Sequence, residues 1–413
     1  MKQESARQDE GIVIDEQLRT FRIEVADSEL AELHNRLAAV RWAPEPVGGA
    51  DGYGVSRAAV QELVEHWRDR YDWRSWEARL NEHPQFTTTI DGANVHFLHV
   101  RSPEPDSPPL VLSHGWPGSV AEFLDIIGPL SDPRRHGLDP AVAFDLVIPS
   151  LPGFGWSGPT PNTGWGPRRI AEAWATLMRR LGYQRYGAVG NDWGAYISLE
   201  LGRIAPGEVV GVHVTQLPSL PDGESIYFPP TADAPALAEL SPGDRKVLEG
   251  LRFFQRNLGA YYHVQAQQPQ TLAHALSDSP AGLLAWTSQV MGGLEPDVLL
   301  THVSIHWLTG TAGSALRIYA EQERQEPPTG PTTVPVGLAQ FPYDVHTIGT
   351  YAERDNANIT SQNFYDRGGH YAAHQEPDLL VGDIRGFFTS VRSGEAAAIP
   401  HHDLENHHNE EPS

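Results

Sequence analysis

Val189-Gly190-Asn191-Asp192-Trp193-Gly194-Ala195, VGNDWGA, lies between a β-prone run, RYGAVGN (185–191), and a helical stretch, WGAYISLELGRIAP (193–206). Glycines two residues to either side of Asp192 permit a sharp, strained strand-to-helix turn that lifts the central side chain above a sheet. That side chain then stands at a helix N-terminus, where the dipole favours an anion. An aspartate that merely caps the helix fits this segment alone equally well. The flanking segments extend the pattern. PLVLSHG (109–115) and FDLVIPS (144–150) are short apolar runs ended by Gly or Pro, as in strands buried on both faces. RRIAEAWATLMRRLG (168–182) sets Ile170, Trp174, Leu177 and Leu181 on one helical face, and GVHVTQLPS (211–219) reads as another strand. Strand alternating with helix predicts an α/β fold with a parallel, doubly wound sheet.

On the N-terminal side, FTTTIDGANVHFLHV (86–100) places Asp91-Gly92 between two β-prone runs, a hairpin signal. Before it, Leu30, Leu33, Leu37 and Val40 recur at helical spacing, with Asp27 or Ser28 as the expected cap. Val60, Leu63, Val64 and Trp67 mark a second helix. Residues 14–85 are therefore expected to be a helical segment packing on the core, and residues 1–13 a disordered N-terminus. Residues 221–332 break the α/β rhythm with helical sequence and Pro-rich joints at Phe228-Pro229-Pro230 and Pro327-Pro328. TVPVGLAQF (333–341) resumes the sheet and DLLVGDIRGFFTSV (378–391) closes it with a helix. The core is thus expected over 86–220 and 333–395, interrupted by a helical lid over 221–332, with a disordered His-rich tail at 396–413.

Composition excludes several classes. A formal charge of −23 disfavours nucleic acid and anionic membrane as partners. The absence of cysteine removes disulfides, thiolate nucleophiles and thiolate metal sites. No run approaches the roughly 20 apolar residues that span a bilayer, and MKQESARQDEGIVIDEQ lacks the apolar centre of a signal peptide. A cytoplasmic, soluble protein is expected, with oligomeric state left open.

Three further motifs carry chemistry. HGWPGS (114–119) follows a strand, and its Trp116 N–H could converge with the N–H of Trp193 into an oxyanion hole; a plain Gly-Pro turn is the alternative. GFGWSG (153–158) matches the dinucleotide pattern GxGxxG, but no helix can start in the GPTPNTGWGP that follows, so it reads as a loop near the pocket rim. RGGHYAAHQEP (367–377) falls where a loop after the last strands should lie and offers His370 as a base. His370 and His374 at i, i+4 could hold zinc, yet the intervening Glu of HExxH and an evident third ligand are missing, so no metal is expected. Asp344, in AQFPYDVHT, follows the resumed strand and can orient the histidine, unless it is only a turn residue. The chain order nucleophile, acid, histidine is that of the α/β-hydrolase triad.

Taken together, RW (41–42), YDWR (71–74), EARLN (77–81), PQFTT (84–88), HGWPGS, GNDWG, ALSDSPAGL (275–283), WLTGT (307–311), FPYD (341–344) and RGGHYAAHQEP resemble the microsomal-type epoxide hydrolases, in particular soluble bacterial relatives with an extra N-terminal region. The resemblance covers most of residues 14–395. It implies an α/β-hydrolase fold, Asp192 as nucleophile, His370 as base and Asp344 as its acid, a place where the family often has Glu. It also implies two lid tyrosines, Tyr261 in AYYHVQ and Tyr319 in ALRIYAEQ, with Tyr262 an adjacent alternative to the first. The membrane anchor of microsomal members does not carry over to this polar start.

What the resemblance implies is addition of water to an epoxide. A charged carboxylate can displace a strained carbon directly, where serine would first need deprotonation. The expected substrate is a small hydrophobic epoxide, no cofactor is needed, and bacterial secondary metabolism is one setting for such an enzyme. Two other readings stay open: a haloalkane dehalogenase with the same aspartate, for which the tyrosines would be idle, and a non-catalytic binding protein on the same scaffold.

Overall fold

The computed structural model describes residues 17–47, 52–220 and 240–394. The expectations for 1–13, for 396–413 and for the Phe228-Pro229-Pro230 joint lie outside the described residues.

Nine strands form one sheet: β1 (Arg19–Phe21), β2 (Gln85–Ile90), β3 (Ala93–Val100), β4 (Pro109–Ser113), β5 (Asp145–Pro149), β6 (Tyr186–Gly190), β7 (Val209–Val214), β8 (Val336–Gln340) and β9 (Ile359–Phe364). Their order is β1-β2-β3-β5-β4-β6-β7-β8-β9. The first three are antiparallel, β3 pairs antiparallel with β5, and every pairing from β5 onward is parallel. The β2–β3 hairpin turns at Asp91 and Gly92, which take the two positive-φ positions (49° and 79°) of a tight hairpin turn.

The buried strands are apolar because both faces are covered. Along β4, Leu110 and Leu112 face one core while Val111 faces the other. β5 repeats the pattern, with Leu146 and Ile148 on the first side and Val147 on the second. The helices Pro167–Arg180 and Trp193–Ile204 cover one face, and Leu124–Ser131 and Pro377–Ser393 cover the other. Ile170, Trp174 and Leu177 are fully buried, each worth about 1.5–3 kcal/mol of transfer free energy. The Trp174 indole N–H also donates to Ser113 Oγ at 3.0 Å, tying that helix to the end of β4.

Between β7 and β8 the described chain is helical, with segments Pro242–Asn257, Ala260–Gln267, Pro269–Asp278, Pro280–Ser288, Pro296–Leu308 and Arg317–Gln322. Four of them begin with Pro at the first position, where its missing N–H costs nothing.

The N-terminal region differs from its sequence expectation in two ways. Arg19–Phe21 is not helical but adds an edge strand to β2, too short for any alternation to announce it. The helices Asp27–Ala38 and Arg57–Asp69 do not simply lie on the core: Trp67 Nε1 donates to Ser304 Oγ at 3.0 Å, Tyr71 bonds Thr301 at 3.0 Å, and Arg36 donates to the Asp278 carbonyl at 2.8 Å. They therefore brace the helices that lie between β7 and β8. The first of them is capped at Ala26, not Asp27 or Ser28, with the Glu29 carboxylate accepting from the Ala26 N–H at 3.3 Å. Among the described residues no helix is long and apolar enough to cross a membrane.

Candidate active site

Asp192 follows β6 and immediately precedes the helix Trp193–Ile204. Its backbone takes φ 49° and ψ −127°, a costly conformation for a non-glycine residue that surrounding packing must enforce. The flanking glycines are what allow it. A Cβ on Gly190 would lie 2.1 Å from the Gly194 carbonyl oxygen, and one on Gly194 would lie 1.8 Å from that of Ser113. A third close approach is at Gly115, where a Cβ would fall 2.0 Å from Asp192 Oδ1. β4 ends beside the elbow, and its loop must run as bare backbone past the carboxylate.

That loop supplies a donor. The Trp116 N–H donates to Asp192 Oδ1 at 2.8 Å. The Trp193 N–H belongs to the first residue of the helix, where main-chain donors have no intrahelical partner.

The other carboxylate oxygen, Asp192 Oδ2, lies 3.5 Å from Nε2 of His370. His370 sits in the loop after β9, and its Nδ1 meets Asp344 Oδ1 at 2.7 Å. Asp344, in the loop after β8, has a fully buried side chain; Oδ1 also accepts the Val345 N–H at 2.7 Å and Gln216 Nε2 at 2.6 Å. These bonds orient the carboxylate and fix Nδ1 of His370 as the protonated nitrogen, leaving Nε2 toward Asp192. Burial pushes the His370 pKa down, but Asp344 and Asp192 outweigh it and hold the imidazole well above its ordinary value.

Tyr261 and Tyr319 reach the elbow from the helices Ala260–Gln267 and Arg317–Gln322. The half-buried Tyr261 stacks on Trp116 with ring centroids 5.5 Å apart, and Tyr319 meets Trp193 edge-on at 4.8 Å. The two tyrosines pack edge to face at 6.1 Å. Burial and the charge of Asp192 raise the Tyr261 pKa; burial, Tyr261 and Asp192 do the same for Tyr319, so both hydroxyls keep their protons. Tyr262 is turned elsewhere, its hydroxyl donating to Glu323 at 2.7 Å. His370 and His374, the pair weighed as zinc ligands, go to separate partners: His374 Nε2 lies 3.1 Å from His302 Nε2.

All the residues singled out in the sequence for this chemistry, Asp192, His370, Asp344, Tyr261, Tyr319, Trp116 and Trp193, thus meet in one place. Sequence reasoning missed Gln216, Asn191 and Tyr371. Gln216 lies just past β7 at the carboxyl end of the sheet, the side where α/β folds place their sites, and that position was the available signal. Tyr371 packs edge-on against His370 at 4.8 Å.

Comparison with known proteins bears on this arrangement. Residues 18–123 match the family described as "Epoxide hydrolase N terminus", and residues 108–234 match "alpha/beta hydrolase fold". A protein of Stigmatella aurantiaca named "Putative epoxide hydrolase" is 39% identical over 388 residues, covering 90% of this chain and 85% of the relative. "Epoxide hydrolase 1" of Sus scrofa is 34% identical over 406 residues, covering 90% and 89%. Among solved structures, juvenile hormone epoxide hydrolase from the silkworm Bombyx mori superimposes with a TM-score of 0.78 at 25% identity, covering 92% of this chain and 96% of that one. The Aspergillus niger epoxide hydrolase gives 0.77 at 28% identity, covering 92% and 98%.

Proposed function

The chain belongs to the epoxide hydrolase family of the α/β-hydrolase superfamily, and from that premise we propose that it converts a hydrophobic epoxide to a vicinal diol through an ester on Asp192. The observation that carries this reading is the division of labour across one carboxylate. Oδ1 is held by the Trp116 N–H at 2.8 Å, and Oδ2 faces His370 Nε2 at 3.5 Å.

In the first step Oδ2 attacks an epoxide carbon, and the ring C–O bond breaks as the new ester bond forms. The leaving alkoxide stays tethered and takes a proton from Tyr261 or Tyr319, which burial keeps protonated. Esterification neutralises Asp192 and so removes one of the two charges that hold a proton on His370. The imidazolium can then release that proton, which returns the tyrosinate to its neutral hydroxyl. Neutral His370, oriented by Asp344, next takes a proton from water as the water attacks the ester carbonyl carbon. Negative charge develops on Oδ1, which already accepts the Trp116 N–H at 2.8 Å; the Trp193 N–H, free of an intrahelical partner, is the second donor in this reading. Collapse releases the diol and returns Asp192 to carboxylate and His370 to imidazolium. General-base help of this kind is worth about 10²–10⁴ in rate. Every step as written uses side chains, main-chain N–H groups and water.

Haloalkane cleavage needs the same nucleophile but no proton donor over the leaving group, so it leaves Tyr261 and Tyr319 without a task. A panel of aryl and alkyl epoxides and haloalkanes, scored for diol and for released halide, tests the choice. Diol from epoxides without halide release is expected; halide release without diol would refute the assignment.

A further inference from the structure

Glu122 lies outside the residues already assigned. It sits in the short turn Val120–Phe123, three residues past the end of HGWPGS, and is 1% exposed. Oε1 accepts from Asn191 Nδ2 at 2.6 Å, while Oε2 has no hydrogen-bond partner, and among the described residues no ion pair reaches this carboxyl. Asn191 is the residue before the nucleophile, and its Nδ2 also lies 3.5 Å from the His370 carbonyl oxygen. One amide thus touches the elbow's own backbone neighbourhood, the turn after the oxyanion loop and the loop of the base.

We propose that Glu122 is a positioning residue of the same site: as a neutral carboxylic acid it holds Asn191 between the elbow and the His370 loop, so that the imidazole keeps its place beside the Asp192 ester while water attacks. The inference rests on the ester chemistry proposed above.

Neutrality follows from surroundings as well as burial. A buried carboxylate with a single amide donor is poorly compensated. Burial, opposed by His370 and reinforced by Asp192, pushes the Glu122 pKa up to about 8. The titratable groups facing it are His370, Asp192, Asp344 and Tyr371. An ionised Glu122 would be a third negative charge around His370 and would hold the imidazole in its protonated, inactive form. As a neutral acid it leaves the base free to lose its proton once Asp192 is esterified. The packing leaves little latitude: a Cβ on Gly118 would come within 2.8 Å of Oε2.

The test is single-turnover kinetics of the full chain with styrene oxide, reading ester formation and ester decay separately by quench and intact-protein mass spectrometry. Glu122→Ala is expected to form ester at close to the normal rate but to hydrolyse it about 10- to 100-fold more slowly, so that ester accumulates. Glu122→Gln, neutral and of the same shape, should recover most of the decay rate at neutral pH. Its decay rate relative to the unsubstituted protein should rise as pH passes through about 8. Equal slowing of both steps in Glu122→Ala, or none, would overturn the proposal. So would a Gln variant as slow as the Ala variant, or one whose ratio to the unsubstituted protein stays flat with pH. The Gln comparison decides even if the Ala variant does not fold. Absence of ester in the unsubstituted protein and in every variant, while styrene oxide is still converted to diol, would instead contradict the Asp192 chemistry on which the proposal stands.

Discussion

Oδ2 of Asp192 and Nε2 of His370 face each other at 3.5 Å, with the second imidazole nitrogen 2.7 Å from Asp344. A base flanked by two carboxylates is a poor base until one of them loses its charge. In the proposed mechanism alkylation of Asp192 removes that charge at the moment when water must be activated. The contact that favours a proton on His370 in the resting protein would then time its release.

This coupling predicts that Asp192→Asn lowers the His370 pKa, because an opposite charge close to the imidazole favours its protonated form. An NMR titration of the ring measures it. The stability consequence has a definite sign. A folded-state pKa raised above the unfolded value of about 6.5 adds stability that is fully present below that pH, and it is lost as pH rises through the raised value. Asp192→Asn should remove part of this acid-side stability, and an unchanged pH–stability profile would argue against the pairing.

In the proposed mechanism Tyr261 and Tyr319 act in the first half-reaction only. Tyr261→Phe and Tyr319→Phe should each slow ester formation, and the double variant should slow it by about 10²–10⁴ while ester decay stays near normal. Rapid-quench measurement separates the two steps. Tyr262→Phe, whose hydroxyl is engaged with Glu323, should cost about 1 kcal/mol of stability and leave ring opening unaffected.

The elbow glycines predict a contrast in stability. Gly194→Ala drives a methyl to 1.8 Å from the Ser113 carbonyl and should cost about 3 kcal/mol or more, with loss of activity. Gly250→Ala, within the helix Pro242–Asn257 and with open space around the new methyl, should gain about 0.5–1 kcal/mol. Denaturant midpoints of the two variants should move in opposite directions.

How much of this was legible in the sequence depended on the range of the contacts. VGNDWGA was readable because a glycine, an elbow residue and a second glycine sit within one turn, between a strand pattern and a helix pattern. The hairpin at Asp91-Gly92 was legible for the same reason. The strand Arg19–Phe21 was not, since three residues carry no period and their pairing partner is β2, across three helices. Asp192, His370 and Asp344 could be named from motif and chain order. Gln216 and Asn191 could not, because what they do is decided by partners 128 and 69 positions away. Tyr261 and Tyr262 are adjacent and chemically identical in sequence; only the packing sends one ring to Trp116 and the other hydroxyl to Glu323.

Oxygen tracing offers an independent check on the ester. If water attacks the Asp192 carbonyl carbon, as proposed, a single turnover in ¹⁸O-water should place the label in the Asp192 carboxylate, and the first diol released should carry an unlabelled oxygen from the protein. Label appearing directly in the first diol would mean that water attacks the epoxide without an intermediate.

The central claim is that Asp192 is esterified and that His370 is needed only to cut the ester. Its most direct measurement is the intact mass of His370→Ala after exposure to an epoxide that the unsubstituted protein turns over. The predicted result is a protein heavier by one epoxide mass, with the adduct on the peptide containing Asp192. A His370→Ala protein that stays at its own mass with every such epoxide would contradict the account.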